Sequence, residues 1–549
     1  MPGKHGALWN YAHPTRKGKI PNLMKNDSTV PIVDKQPRRG GLLRASGVTG
    51  SMTLLSRMLG LARDVVIARV FGPGDGTDVF FLANKIPNFL RRLFAEGAFN
   101  QAFVPVLSEY RTHKSLAEVK QLINYVAGYL GGLLALLTAV TLVAAPLLAV
   151  PIAYGFTDEP EKFALFVQML RITFPYLLLI SLTALCGAIL NSYDRFAIPA
   201  LTPALLNISL IASAFLLAPY MNRPELALAW GVLIAGVAQL LFQLPFLARL
   251  QLMPVPALHR SHEGVQRIKT LMLPALFGVS VSQINLLLDT LIASYLVSGS
   301  VSWLYFSDRL MELPLGIFGI AIATVVLPSL ARNHANESRE EFSQTIDWAM
   351  RLVCVLAIPA TVALVVVAEP LLVTLFQNAN FTANDVVRVT ASLQAYALGL
   401  IAFMGVKIFA PGFYSRQNTR TPVRIAVIAV AVNMVLNFVL VFGFGLAHVG
   451  LALATSLAAF VNAGLLLLGL YRERVYHFQP GWVVFLLRIF LAIALMASFL
   501  VYYAGDWQDW LQWDIWTRVG HLSVLCFGGL AVYIAALYAG GMRGIHLHR

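Results

Sequence analysis

Five arginines, Arg57, Arg63, Arg91, Arg92 and Arg309, fall inside apolar stretches long enough to cross a membrane. A charge at the centre of a bilayer costs about 2.5–3.5 kcal/mol on insertion scales, so such residues face a protein interior or a watery cavity. The guanidinium fork grips phosphate oxygens in pairs and keeps its charge when dehydrated. Arginines placed this way point to an anion, a diphosphate above all, that sheds water on its way across.

The surrounding charges are spaced to serve them. Asp78, Lys85, Arg92 and Glu96 follow one another by seven, seven and four residues and so share one helix face, with Arg91 about 100° away. Arg92 and Glu96 stand at i,i+4 and can neutralise each other. Arg57, Arg63 and Arg91 have no equally obvious local partner; Asp64 and Asp78 are the candidates. Asp308 and Glu312 flank Arg309 within one turn, so a local network competes there with a ligand role. A second, more neutral set comprises Asp289, Asn433, Asn437 and Thr455, whose oxygens could ligate a small cation or simply join helices by hydrogen bonds. Cys186, Cys354 and Cys526 have no metal-ligand spacing. No Walker loop, His cluster or nucleophile elbow is present, so the sequence offers no enzyme site.

The elements that must position these residues are membrane helices. Of 549 residues 58% are hydrophobic and 12% charged, against about 45–50% and about 25% in soluble domains. Fourteen apolar stretches lie between residues 43 and 540, each near or beyond the roughly 20 residues a spanning helix needs, and too long and unalternating for barrel strands. The expected fold is an all-α polytopic membrane protein. Its net charge of +14 sits in alternate loops: Arg111, Lys114 and Lys120, then Arg195, then Arg249 to Lys269, and onward to Arg543 and Arg549. The opposite loops are acidic or neutral, with Asp75, Asp158 and Asp385 among them. That alternation puts both termini in the cytoplasm and makes nucleic-acid binding unnecessary.

A faint repeat relates residues 81–90 to 305–314 and implies a unit of six helices. The expected organisation is a basic, disordered cytoplasmic extension over 1–41, an N-lobe over 42–250 and a C-lobe over 251–475. Two further helices follow over 476–549. Paired six-helix lobes with a central cavity are a transporter architecture. Trp507, Trp510, Trp513 and Trp516 read as an interfacial belt.

The stretches 51–64, 88–105, 278–283, 300–312 and 410–416 resemble the MurJ (MviN) lipid II flippases of the multidrug/oligosaccharidyl-lipid/polysaccharide exporter superfamily, over about residues 42–540. The resemblance implies a multi-pass protein of the bacterial inner membrane that moves lipid-linked peptidoglycan precursor from the cytoplasmic to the periplasmic leaflet by alternating access. Arg57, Arg63, Arg91 and Arg309 would bind the diphosphate. Asp64, Asp78, Arg92, Glu96, Asp308 and Glu312 would gate or pair with them, and the last two helices would hold the polyprenyl tail. It implies sodium at Asp289, Asn433, Asn437 and Thr455, and membrane lipids and other cell-wall synthesis proteins as partners. The competing expectations are an exporter of drugs or of another lipid-linked glycan, and a membrane glycosyltransferase or ligase. The last would need a large catalytic loop, and only 249–269 is long.

Overall fold

The computed structural model describes residues 39–259, 262–336 and 338–542. The basic extension expected over 1–41 lies outside them up to residue 38. Val48 onward forms one compact unit.

The described helices stack into fourteen columns. The first six are α1 (Arg39–Val70), α2 (Asp75–Arg91) continued into α3 (Phe99–His113), α4 (Leu116–Ile152), α5 (Pro160–Thr173) with α6 (Tyr176–Ser192), α7 (Ala197–Leu216) and α8 (Leu226–Arg249). The next six are α9 (Glu263–Ala293), α10 (Ser300–Pro314) continued into α11 (Ile320–Ala335), α12 (Arg339–Leu375), α13 (Ala383–Leu398) with α14 (Leu400–Tyr414), α15 (Arg420–Asn437) and α16 (Ala447–Arg472). α17 (Trp482–Ala504), the short α18 (Trp507–Gln512) and α19 (Ile515–Ala539) complete the chain.

Ten columns are long and apolar enough to cross a membrane. The other four, α1, α2–α3, α9 and α10–α11, hold the candidate site arginines and carboxylates named above. Their lower hydropathy follows from what they carry, because charges that line a cavity replace apolar side chains that would otherwise face lipid.

The second and eighth columns break alike. π-helical turns run over Arg92–Ala98 and Leu315–Gly319, at corresponding positions of the faint repeat. Prolines lie upstream at Pro87 and Pro314, where the missing N–H and the ring disturb the helical ladder. Such turns redirect the side chains around them and concentrate at functional sites. They bracket Arg91, Arg92, Arg309 and Glu312.

The last pair, α17 and α19, packs together and against α12. The linker before α17 is strapped down by buried Asp347 of α12, which accepts from Tyr476 Oη (2.9 Å) and Trp482 Nε1 (2.8 Å). The tryptophan belt divides. Trp516 is 80% exposed, whereas Trp510 is fully buried and donates to Ala504 O at 2.8 Å. Four tryptophans at three-residue spacing cannot all reach lipid once α18 packs against α12.

Candidate functional site

α1 brings Arg57, Arg63 and Asp64 to the seam between the lobes, and α10 brings Tyr305, Arg309 and Glu312 to meet them. Arg63 and Asp64 are buried, 8% and 2% exposed. Neighbours in sequence do not face each other on a helix, but the long arginine arm curls back, and Nε and Nη2 donate to Asp64 Oδ1 at 2.9 and 2.6 Å. Its Nη1 donates to Asn207 Oδ1 at 3.0 Å and its Nη2 to Tyr305 Oη at 2.9 Å. Tyr305 in turn donates to Asp64 Oδ1 at 2.8 Å. Arg309 Nε lies 3.7 Å from Asp64 Oδ2, while its Nη1 donates to Glu312 Oε2 at 2.7 Å. One carboxylate thus collects arginines from both lobes.

Arg63, Asp64, Arg309 and Glu312 line a cavity of about 280 Å³ with Arg57, Gly60 and Asn207. Arg57 makes no hydrogen bond or ion pair among the described residues. Its guanidinium lies against Gly316 of α10's π-turn, where any Cβ would collide with it. Absence of a side chain at Gly316 is what lets a charged fork from α1 reach the opposite lobe.

The structure divides the remaining expectations. Arg91 donates from Nε to Asn88 on its own helix at 3.2 Å and does not line this cavity. The expected Arg92–Glu96 pair involves a Glu96 side chain that lies outside the described residues. Lys85 and Asp308 face each other electrostatically across the lobes, with Arg92, Arg309 and Asp289 also in range.

Asp78, a candidate partner for the arginines, pairs with none of them among the described residues. Its side chain is buried, accepting from Gly299 N (2.7 Å), Ser302 N (2.8 Å) and Ser302 Oγ (2.5 Å). α2 therefore supplies, from the other lobe, the N-cap that α10 lacks at Gly299; the anion also meets the positive end of that helix dipole. The same seam holds Asp75, paired with Lys162 at 2.6 Å. Partial burial pushes the Asp75 carboxyl up, but hydrogen bonds from Lys162 and Ser298 outweigh it and leave the group below its ordinary value.

The more neutral cluster also assembles. Asp289 accepts from Asn437 Nδ2 (2.7 Å) and Thr455 Oγ1 (3.1 Å). Asn433 satisfies its neighbours best when its amide donates to Asp289 and Asn285 and its oxygen accepts from Thr455 N. Asn437 Oδ1 is buried without a partner among the described residues.

Two residues escaped the sequence reading. Asn207 holds Arg63 and donates to Ser56 O at 3.0 Å, fixing α1 against α7. A lone amide in an apolar run was the available signal. Tyr305, stacked on Phe81 at 3.8 Å between centroids with Arg309 over its ring, lies one turn before Arg309.

The family model described as "Lipid II flippase MurJ" matches residues 67–518. The chain belongs to the MurJ family. A "Probable lipid II flippase MurJ" of Haemophilus influenzae is 47% identical over 509 residues, covering 90% of this chain and 99% of that protein. The "Lipid II flippase MurJ" of Burkholderia cenocepacia is 39% identical, covering 92% and 99%. Among solved structures, "Lipid II flippase MurJ, inward closed conformation" is 26% identical with a TM-score of 0.75 over 90% of this chain and 99% of that one. An inward-facing multidrug resistance MATE transporter of the MOP superfamily shares the fold at 14% identity and a TM-score of 0.63, covering 78% and 97%. This family consists of membrane transporters rather than enzymes.

Proposed function

We propose that the chain flips lipid II from the cytoplasmic to the periplasmic leaflet of the bacterial inner membrane by alternating access between its lobes. Both termini are cytoplasmic, so the end carrying the α1–α2 turn is periplasmic. The observation that carries this reading is the sharing of Asp64 by Arg63 and Arg309. A carboxylate that holds arginines from two lobes occupies the place a diphosphate would take, and a diphosphate brings more charge and more acceptor oxygens to both forks. Arg57, already without an acceptor, adds a third.

The cavity supports the cycle. Ligand pockets for drug-sized molecules run to about 300–1,000 Å³, and this one is about 280 Å³. It has room for a diphosphate, and parting of the lobes would give the disaccharide and peptide space beyond it. Binding energy from the arginines is best used to draw them together again. The membrane potential favours moving the anion outward by about 2.3 kcal/mol per charge at 100 mV. The exposed apolar face of α17 and α19, with Leu487, Phe490 and Phe527, takes the polyprenyl tail.

We extend the proposal to a sodium ion at the Asp289 cluster. Oxygens of Asp289, Asn437 and Thr455 suit a hard cation, which Asn433 would join by turning its amide over, and Asn437 Oδ1, unpartnered among the described residues, is an acceptor in need of one. Bound there, sodium would neutralise Asp289. Arg388 and His448 stay apart from it on the Trp303 side.

The test is lipid II translocation after Arg63→Ala or Arg309→Ala in protein shown to be inserted. Each is expected to fall by about 10- to 150-fold, the loss of one charge-assisted pair. Full activity removes the arginine reading.

A further inference from the structure

At the periplasmic end, the C-termini of α1 and α12 meet across the lobe boundary. Arg69, in the last turn of α1, donates from Nε to Leu375 O (3.1 Å) and from Nη2 to Thr374 O (3.2 Å). In return Asn378 donates to Arg69 O at 2.6 Å, and Asn380 donates to Arg69 O at 3.0 Å and Val70 O at 2.9 Å. Each helix end has carbonyls without intrahelical partners, and each supplies the donors the other needs. Arg69 has no carboxylate partner among the described residues; its charge meets the negative end of the α12 dipole instead.

The loop that carries the asparagines is held in shape. Asn378 Oδ1 accepts from Asn380 N (2.9 Å) and Phe381 N (2.8 Å), which uses up its carbonyl and aims its amide at α1. Phe376 and Phe381, both fully buried, pin the loop's two sides. Opposite, Gly72 ends α1 at φ 68°, and a Cβ there would strike the backbone of Asn380. The close approach requires glycine.

We propose that this reciprocal capping of α1 and α12 is a periplasmic latch, whose release is required for the outward-facing state and whose strength sets how often that state forms. The proposal rests on the alternating-access reading. All five bonds cross the lobe boundary, so outward opening breaks them together. Every acceptor is a backbone carbonyl at a helix end near the membrane surface, where water can replace the lost donor. Release strands no buried polar group, which distinguishes a latch from permanent packing. Arg518 of α19 donates to the next carbonyl of the same helix end, Val373 O, at 3.3 Å. Two like charges share one terminus, and their repulsion favours the departure of Arg69.

The experiment uses the full chain with Cys186, Cys354 and Cys526 replaced and a reporter cysteine in the cavity at Leu313. A membrane-impermeant maleimide is added from the periplasmic side, and the initial labelling rate is measured. The double variant Asn378→Ala/Asn380→Ala loses the three hydrogen bonds to α1 and the two that Asn378 Oδ1 accepts within the loop, and is expected to label about tenfold faster. Gly72→Ala acts from the other lobe by wedging, and carries the same expectation if the double variant fails to insert. Asp78→Asn, outside the latch, serves as the control for alternating access. Faster labelling in the control with no change in either latch variant overturns the latch and leaves alternating access standing. No change in any variant overturns both.

Discussion

Replacing Asp64 by asparagine keeps the shape of the side chain and removes the charge that holds Arg63 and Arg309. If this carboxylate stands where the diphosphate goes, it competes with substrate, and its neutralisation should tighten binding. At 3.7 Å a unit charge pair is worth about 4.5 kcal/mol at an effective dielectric of about 20 and about 1.1 kcal/mol in water. The Arg309 side chain is 36% exposed, so the screened end applies, about 1–2 kcal/mol. Affinity for a soluble diphosphate analogue should therefore rise about 5- to 30-fold. Turnover should fall, because Asp64 must reclaim both arginines for the diphosphate to leave. The measurement is calorimetric titration of purified protein beside translocation in vesicles. Weaker analogue binding by folded Asp64→Asn protein would refute the competition, since it would make the carboxylate a positioning group for the arginines.

Asn207→Ala strands Arg63 Nη1 and removes the second bond to Ser56 O, a cost of about 1–3 kcal/mol; a lower melting temperature in detergent and reduced flux are expected together. Gly316→Ala sets a methyl where the Arg57 guanidinium lies. Because the arm can swing aside, folding should survive while transport falls, checked by flux at matched membrane abundance. Asp289→Asn should abolish any stabilisation by sodium over potassium in thermal melts, and an unchanged sodium response excludes the cluster. Asp75 is held below the usual carboxylate value, so its contribution to the periplasmic seam is fully present above about pH 4. It is lost as pH falls through the lowered value. Periplasmic labelling of a cavity cysteine should be flat from pH 7 to 5, rise below about pH 4, and lose that acid response in Asp75→Asn.

Hydropathy made the columns legible because burial in lipid demands a continuous apolar length, which a linear scan detects. The arginines were legible for the converse reason, since a charge in such a stretch has no cheap explanation. Their division into Arg57, Arg63, Arg91 and Arg92 from one half and Arg309 from the other was readable too, through the repeat. Partnerships were not. Arg309 with Glu312 follows from helical spacing, but Arg63 with Asn207 spans 144 positions and with Tyr305 spans 242, and no periodicity within one helix reports them.

Asp78 marks the boundary most sharply. Its type and place in the charged stripe suggested an arginine partner, yet it caps α10, because the lobes bring an unpaired helix N-terminus closer to it than any guanidinium. The reciprocal caps of Arg69, Asn378 and Asn380 lie in segments that look like ordinary turns. Sequence by itself determined which helices would be apolar, which would carry charge, and that the charge would be arginine, since these follow from transfer energies of single residues. Tertiary structure alone decided which carboxylate neutralises which arginine and where the lobes lock, because both depend on distances between helices that the chain brings together only by folding.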